Sequence, residues 1–154
     1  MPRKIVNKVG LIGETVAEKF FINKGFEVIE KNYNKYCGEI DLIVLKGNKH
    51  HFVEVKTISR VTSKSVSCET LLDQYKGFFE IESFKEVIHE TSYRPEINVT
   101  REKLYKLSRT ALLFIEERGL GDIDWQMDSL GIVLYKGHLK DSFRAKIEYL
   151  ECIY

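Results

Sequence analysis

The chain has 154 residues, 44% hydrophobic and 31% charged, which is enough for one α/β core over 1–154 and too short for a second. A net charge of +1 does not announce a nucleic-acid binder, and no stretch approaches the roughly 18 apolar residues of a membrane span or the apolar run of a leader, so a soluble, cytoplasmic protein with no membrane attachment is expected. Cys37, Cys68 and Cys152 are widely spaced without a Cys-x-x-Cys pair, which indicates reduced thiols and neither a disulfide framework nor a zinc site.

In chain order, Val9, Ile12, Val16, Phe20 and Phe21 recur at helical spacing, and Gly25 supplies a stop, which predicts a helix from about Asn7 to Lys24. A short strand around Phe26–Lys31 follows. The segments Glu39–Leu45 and His50–Thr57 are rich in β-formers and flank Gly47-Asn48, a dipeptide suited to a tight turn, so an antiparallel hairpin is expected. Beyond it, Phe78, Phe79, Ile81, Phe84, Val87 and Ile88 suggest a short helix around 79–89 inside a long connection. Thr100 caps a second helix whose stripe is Leu104, Leu107, Ala111, Phe114 and Ile115, and Gly119 ends it. Trp125–Tyr135 and Ala145–Tyr154 read as two further strands. The order α, β, β, β, α, β, β implies a mixed sheet of about five strands flanked by helices.

Charge is unevenly spread: residues 1–60 hold 11 Lys/Arg against 7 Asp/Glu, whereas residues 61–100 hold 4 against 7. A hairpin centred on Gly47-Asn48 sets Asp41 opposite Glu54 and Glu39 opposite Lys56. Strand alternation then sends Glu39, Asp41, Glu54 and Lys56 to one side, and Ile40, Leu42, Val44, Val53 and Val55 to the other. Opposed carboxylates about 5 Å apart repel unless a cation or a proton lies between them. Mg²⁺, or Mn²⁺ in its place, takes one or two carboxylates and keeps waters, while Lys56 could hold such a water or offset charge growing on a phosphate. This is a layout for phosphodiester hydrolysis. The plainer alternative is a charged hairpin with a cross-strand Glu39–Lys56 ion pair.

Gly38-Glu-Ile-Asp-Leu-Ile43 followed by Phe52-Val-Glu-Val-Lys-Thr57 resembles the YraN-like family of predicted endonucleases, within the PD-(D/E)XK nuclease superfamily that includes Holliday junction resolvases. Gly10-Leu-Ile-Gly-Glu-Thr-Val-Ala17, Lys31-Asn-Tyr33, Tyr93-Arg-Pro-Glu-Ile-Asn98, Lys103 and Trp125-Gln-Met-Asp128 are similar to that family's landmarks as well. The resemblance implies a restriction-endonuclease-like core, with Asp41, Glu54 and the Val55 carbonyl as metal ligands and Lys56 as the catalytic lysine. Glu39 would act from beside the site, for instance by tethering Lys56. Glu14 matches an acidic residue that related resolvases place near the metal. On spacing alone, Gly10, Glu14, Ala17 and Phe21 form one ridge, so Glu14 either approaches the sheet or stays solvated while Gly10 and Gly13 permit tight helix packing. Relative to shorter family members the chain carries an insertion at about 58–96.

Arg101, Lys103, Lys106 and Arg109 could neutralise phosphates, or form an ordinary solvated helix face. Tyr75, Phe78, Phe79 and Tyr93 could stack on bases, or pack beneath the long connection. Adjacent His50 and His51 point to opposite faces and do not share a metal. Asp128 fits a structural hydrogen-bonding role better than ligation. By family analogy the expected substrate is DNA, branched or otherwise structured, and chemistry on two strands would favour a homodimer, although no surface identifies one. The rival expectations are a nucleic-acid-binding module with the nuclease fold and little hydrolysis, and a metal-stabilised interaction protein.

Overall fold

The computed structural model describes residues 8–59, 79–86, 99–136 and 143–153. Helix α1 (Lys8–Asn23) buries Ile12, Val16, Ala17, Phe20 and Phe21. It stops where Gly25 turns left-handed (φ 81°), and the Phe26 N–H returns to the Phe21 carbonyl at 2.9 Å. Strands β1 (Glu27–Lys35), β2 (Gly38–Lys46) and β3 (Lys49–Ser59) follow, then β4 (Phe79–Glu86). Helix α2 (Arg101–Glu117) is capped by Thr100, whose hydroxyl accepts from the Lys103 N–H at 3.2 Å. The chain ends in β5 (Asp124–Lys136) and β6 (Phe143–Leu150).

The strands form one mixed sheet in the order β1-β2-β3-β5-β6-β4. The β1–β2, β2–β3 and β5–β6 pairs are antiparallel, whereas β3–β5 and β4–β6 are parallel. Each face of the sheet has its own core. Leu42, Val44, Val53, Leu130, Ile132 and Ile147 pack with α1, while Ile43, Phe52 and Met127 pack with Leu107, Ala111 and Phe114 of α2. Burial on both faces explains why β2 and β5 read as continuous apolar runs.

The expected αβββαββ order and mixed sheet are present, with two corrections. Residues 79–86 are a sixth strand and not the start of a helix. Phe79 and Ile81 alternate with Glu80 and Glu82, and a register irregularity between Ile81 and Ser83 throws Phe84 to helical spacing from Ile81. The strand covers the free edge of β6. The second correction concerns Ile40, which packs in the α2-side core while Leu42 and Val44 pack with α1. Asn32, between the Lys31↔Leu42 and Tyr33↔Ile40 pairs, is left-handed (φ 51°) and interrupts alternation opposite Asp41. Lys31 accordingly meets Glu18 of α1, whereas Tyr33 meets Glu117 of α2.

Candidate active site

The β2–β3 register is the one expected from the turn, running from Lys46↔Lys49 to Leu42↔Val53. There the pairing ends, short of the expected Asp41–Glu54 and Glu39–Lys56 pairs: β3 continues along β5 as far as Ser59↔Leu134, while β2 parts from it. Asp41 sits at this fork. Its Oδ2 accepts from the Val55 N–H at 2.7 Å, so the carboxylate supplies an acceptor where the ladder has stopped.

Glu39, Asp41 and Glu54 line one cavity of about 200 Å³ with Gly38, Lys103, Lys106 and Leu107. Glu54 is tied to the Lys103 ammonium across this cavity. The close approach of α2 depends on Gly38, where a Cβ would stand 2.9 Å from Thr110 Oγ1 and 3.4 Å from the Lys106 carbonyl oxygen. On the opposite face α1 approaches as tightly, since a Cβ on Gly13 would lie 1.7 Å from Thr57 Oγ1. That contact brings Glu14 close enough for its charge to act on Asp41, while its carboxylate accepts from Asn32 Nδ2 at 3.2 Å.

Electrostatically Asp41 is set among acids, while the Lys103 ammonium goes to Glu54. Burial first, then the charge of Glu54, with smaller contributions from Glu39 and Glu14, pushes the Asp41 carboxyl up to about 7 against the opposing pull of the Val55 N–H. Lys56 is exposed and stands outside the cavity lining, as do Arg101 and Arg109. Arg109 instead contacts the Tyr105 hydroxyl at 3.2 Å, and Lys106 forms a helical ion pair with Glu102 at 3.0 Å. Of the four cations expected on α2, Lys103 and Lys106 therefore reach the site.

Three features were not foreseen. Asn32 both kinks β1 and holds Glu14, and an Asn amid β-formers is only a faint signal for this. Ser129 pairs with Glu54 on the neighbouring strand, is 1% exposed, and has a hydroxyl without a hydrogen-bond partner among the described residues. The third is the set of partners on the α1 side around Asp128, whose expected structural hydrogen-bonding role is present. Asp128 accepts from His51 Nδ1 (2.6 Å), the Tyr149 hydroxyl (2.6 Å), Gln126 Nε2 (2.7 Å) and the Cys152 N–H (2.9 Å). His50, on the other face, lies beside Phe114, and burial then the neighbouring His51 lower its affinity for a proton.

Among the described residues no helix is long and apolar enough to cross a membrane. Residues 13–77 match the model of Uncharacterised protein family UPF0102. A UPF0102 protein of Campylobacter fetus is 32% identical over 123 residues, 80% of this chain and 81% of its own length. Another from Campylobacter hominis is 30% identical over 81% of this chain and 83% of its own, and one from Alkaliphilus metalliredigens 29% over 83% and 87%. With that identity spread over most of both chains, and a nuclease-like mixed sheet beneath it, the protein belongs to UPF0102, the YraN-like nuclease family.

Proposed function

We propose that this protein is a divalent-cation-dependent endonuclease that hydrolyses phosphodiester bonds in DNA, with the fork between β2 and β3 as its active centre. The observation that carries this reading is the convergence of Asp41 and Glu54 at the end of the ladder, on the lining of one cavity, where burial and the Glu54 charge push the Asp41 carboxyl up to about 7. The donor chemistry suits Mg²⁺ or Mn²⁺: two hard carboxylates, with the Val55 carbonyl next along the chain. Among the described residues no three His, Cys, Asp or Glu side chains are grouped to hold a metal by themselves, so water would have to complete the coordination of an ion placed here. Bound there, such an ion would neutralise phosphate charge and acidify a water.

The chain's own residues divide the remaining work. Asp41 and Glu54 would hold the cation, and Glu14 and Glu39 add negative field around them. Lys103 and Lys106, on the cavity wall formed by α2, would meet phosphate oxygens, positioning the backbone without reading sequence. Lys56, two residues beyond Glu54, would orient the attacking water or offset charge on the phosphate. Branched or structured DNA and a homodimeric assembly are proposed by family analogy alone.

The experiment is cleavage of labelled duplex, nicked, flapped and four-way-junction DNA, with and without Mg²⁺ or Mn²⁺, for wild type, Asp41→Asn and Lys56→Ala. Metal-dependent cleavage lost in both variants is expected. Cleavage indifferent to both would remove this fork from the mechanism. A second reading draws on the Glu54–Lys103 pair, which leaves Glu54 already neutralised: a module that binds nucleic acid without hydrolysis would show salt-dependent affinity and no turnover in any metal.

A further inference from the structure

The turn end of the hairpin carries a second cavity, larger than the one at the fork. It encloses about 500 Å³ and is lined by Lys24, Lys46, Lys49, His51, Tyr149 and Glu151, among others. Lys46 is five residues along β2 from Asp41, about 16 Å at strand rise, and the cavity opens on the α1 side of the sheet, away from the fork.

Two independent features give this cavity a chemical character. The first is charge. Lys46 directs its ammonium to the Lys24 carbonyl at 2.9 Å and sits 4.8 Å from the centroid of the Phe26 ring, so its contacts are a dipole and a ring, not a carboxylate. Lys49 is 3.6 Å from Asp124, an exposed pair of the weak kind. Lys46, held by a carbonyl and a ring, and the weakly paired Lys49 give the lining a basic side beside the single acid Glu151.

The second is a held histidine. His51 is 5% exposed, its Nδ1 lies 2.6 Å from Asp128 Oδ2, and the Phe26 ring packs edge-on against it. Asp128 has three further donors and is itself wholly buried, so it fixes the ring and leaves Nε2 as the nitrogen free to meet a ligand. A carboxylate-held imidazole of this kind serves either a metal or a group that shares a proton with Nε2. The lysines of the lining oppose a cation and favour an anion, while the Asp128 charge is taken up by its own four donors.

We infer that this cavity is a second binding site, separate from the fork, for a phosphate group: the lysines supply charge and His51 Nε2 the directional contact. The phosphate could be that of a free nucleotide or of a nucleic-acid backbone, since both present anionic non-bridging oxygens.

The test is an NMR titration of the full chain with inorganic phosphate at constant ionic strength, following the His51 ring and the Lys46 and Lys49 amides. Saturable shifts confined to this cavity are expected, together with at least a tenfold loss of affinity in Lys46→Ala/Lys49→Ala, whose side chains are exposed enough to leave the fold intact. Non-saturating shifts spread over the surface lysines, or unchanged affinity in the double variant, would overturn the proposal. Parallel titrations with a 5′-mononucleotide and with a duplex lacking terminal phosphates identify the source, as the tighter binder whose affinity the double variant loses. Asp41→Asn should leave the phosphate titration unchanged, so the two sites succeed or fail separately.

Discussion

Asp41 and Asp128 both lie in the central sheet, on strands separated by β3, yet they are supplied in opposite ways. Asp128 is fully buried and receives four hydrogen bonds, two of them from the buried side chains of His51 and Tyr149. Among the described residues Asp41 receives one, from the Val55 N–H, and faces the charges of Glu54, Glu39 and Glu14. Local structure explains the contrast: Asp128 lies inside a continuous ladder, while Asp41 lies where the β2–β3 ladder has ended and β1 is kinked at Asn32. A carboxylate saturated by donors serves stability. One left short of them stores unfavourable charge that a cation would relieve.

Breaking the saturated side should have the largest effect. Asp128→Ala leaves His51 and Tyr149 without their acceptor, and urea denaturation should show a loss of about 3–5 kcal/mol. Next comes the helix contact that brings Glu14 toward the fork. Gly13→Ala forces a Cβ onto Thr57 and should cost about 1–3 kcal/mol, with Thr57→Ala recovering part of it in the double variant.

Asp41→Asn should go the other way. With the carboxyl raised from 3.8 to about 7 on folding, its contribution to stability is complete below about pH 4 and is lost as pH rises through 7. Asn keeps an acceptor for Val55 and has no charge to develop. In metal-free buffer, thermal melts should therefore show the variant more stable than wild type at pH 8, by about 1–2 kcal/mol, and no more stable at pH 4. Greater wild-type stability at pH 8 would mean that Asp41 is already neutralised. The smallest effect is expected from Lys103→Met, whose half-exposed pair with Glu54 should be worth no more than about 1 kcal/mol in melts at low salt.

The hairpin was legible because Gly47-Asn48 and the flanking β-formers pin the register, and that register directs Asp41 toward Glu54 although the ladder stops one pair short of them. What alternation could not show is the kink at Asn32, which turns Ile40 to the α2 face and places Asp41 in the gap between strands. Tertiary context chose the strand at 79–86, since its one-residue irregularity imitates helical spacing and only the edge of β6 reveals its role. The pairing of His51 with Asp128 was equally hidden: they lie on adjacent strands far apart in sequence, two positions offset from direct partners. Lys103 could be placed on the second helix from sequence, but its reach to Glu54 depends on α2 packing closely against Gly38.

The central claim is that Asp41 and Glu54 share one cation. Anomalous diffraction from crystals soaked in Mn²⁺ tests it most directly. A single strong peak should appear between the two carboxylates, with Lys103 drawn off Glu54, and should be missing from Asp41→Asn crystals. A clean map at the fork, or a peak that persists in the variant, would contradict the account.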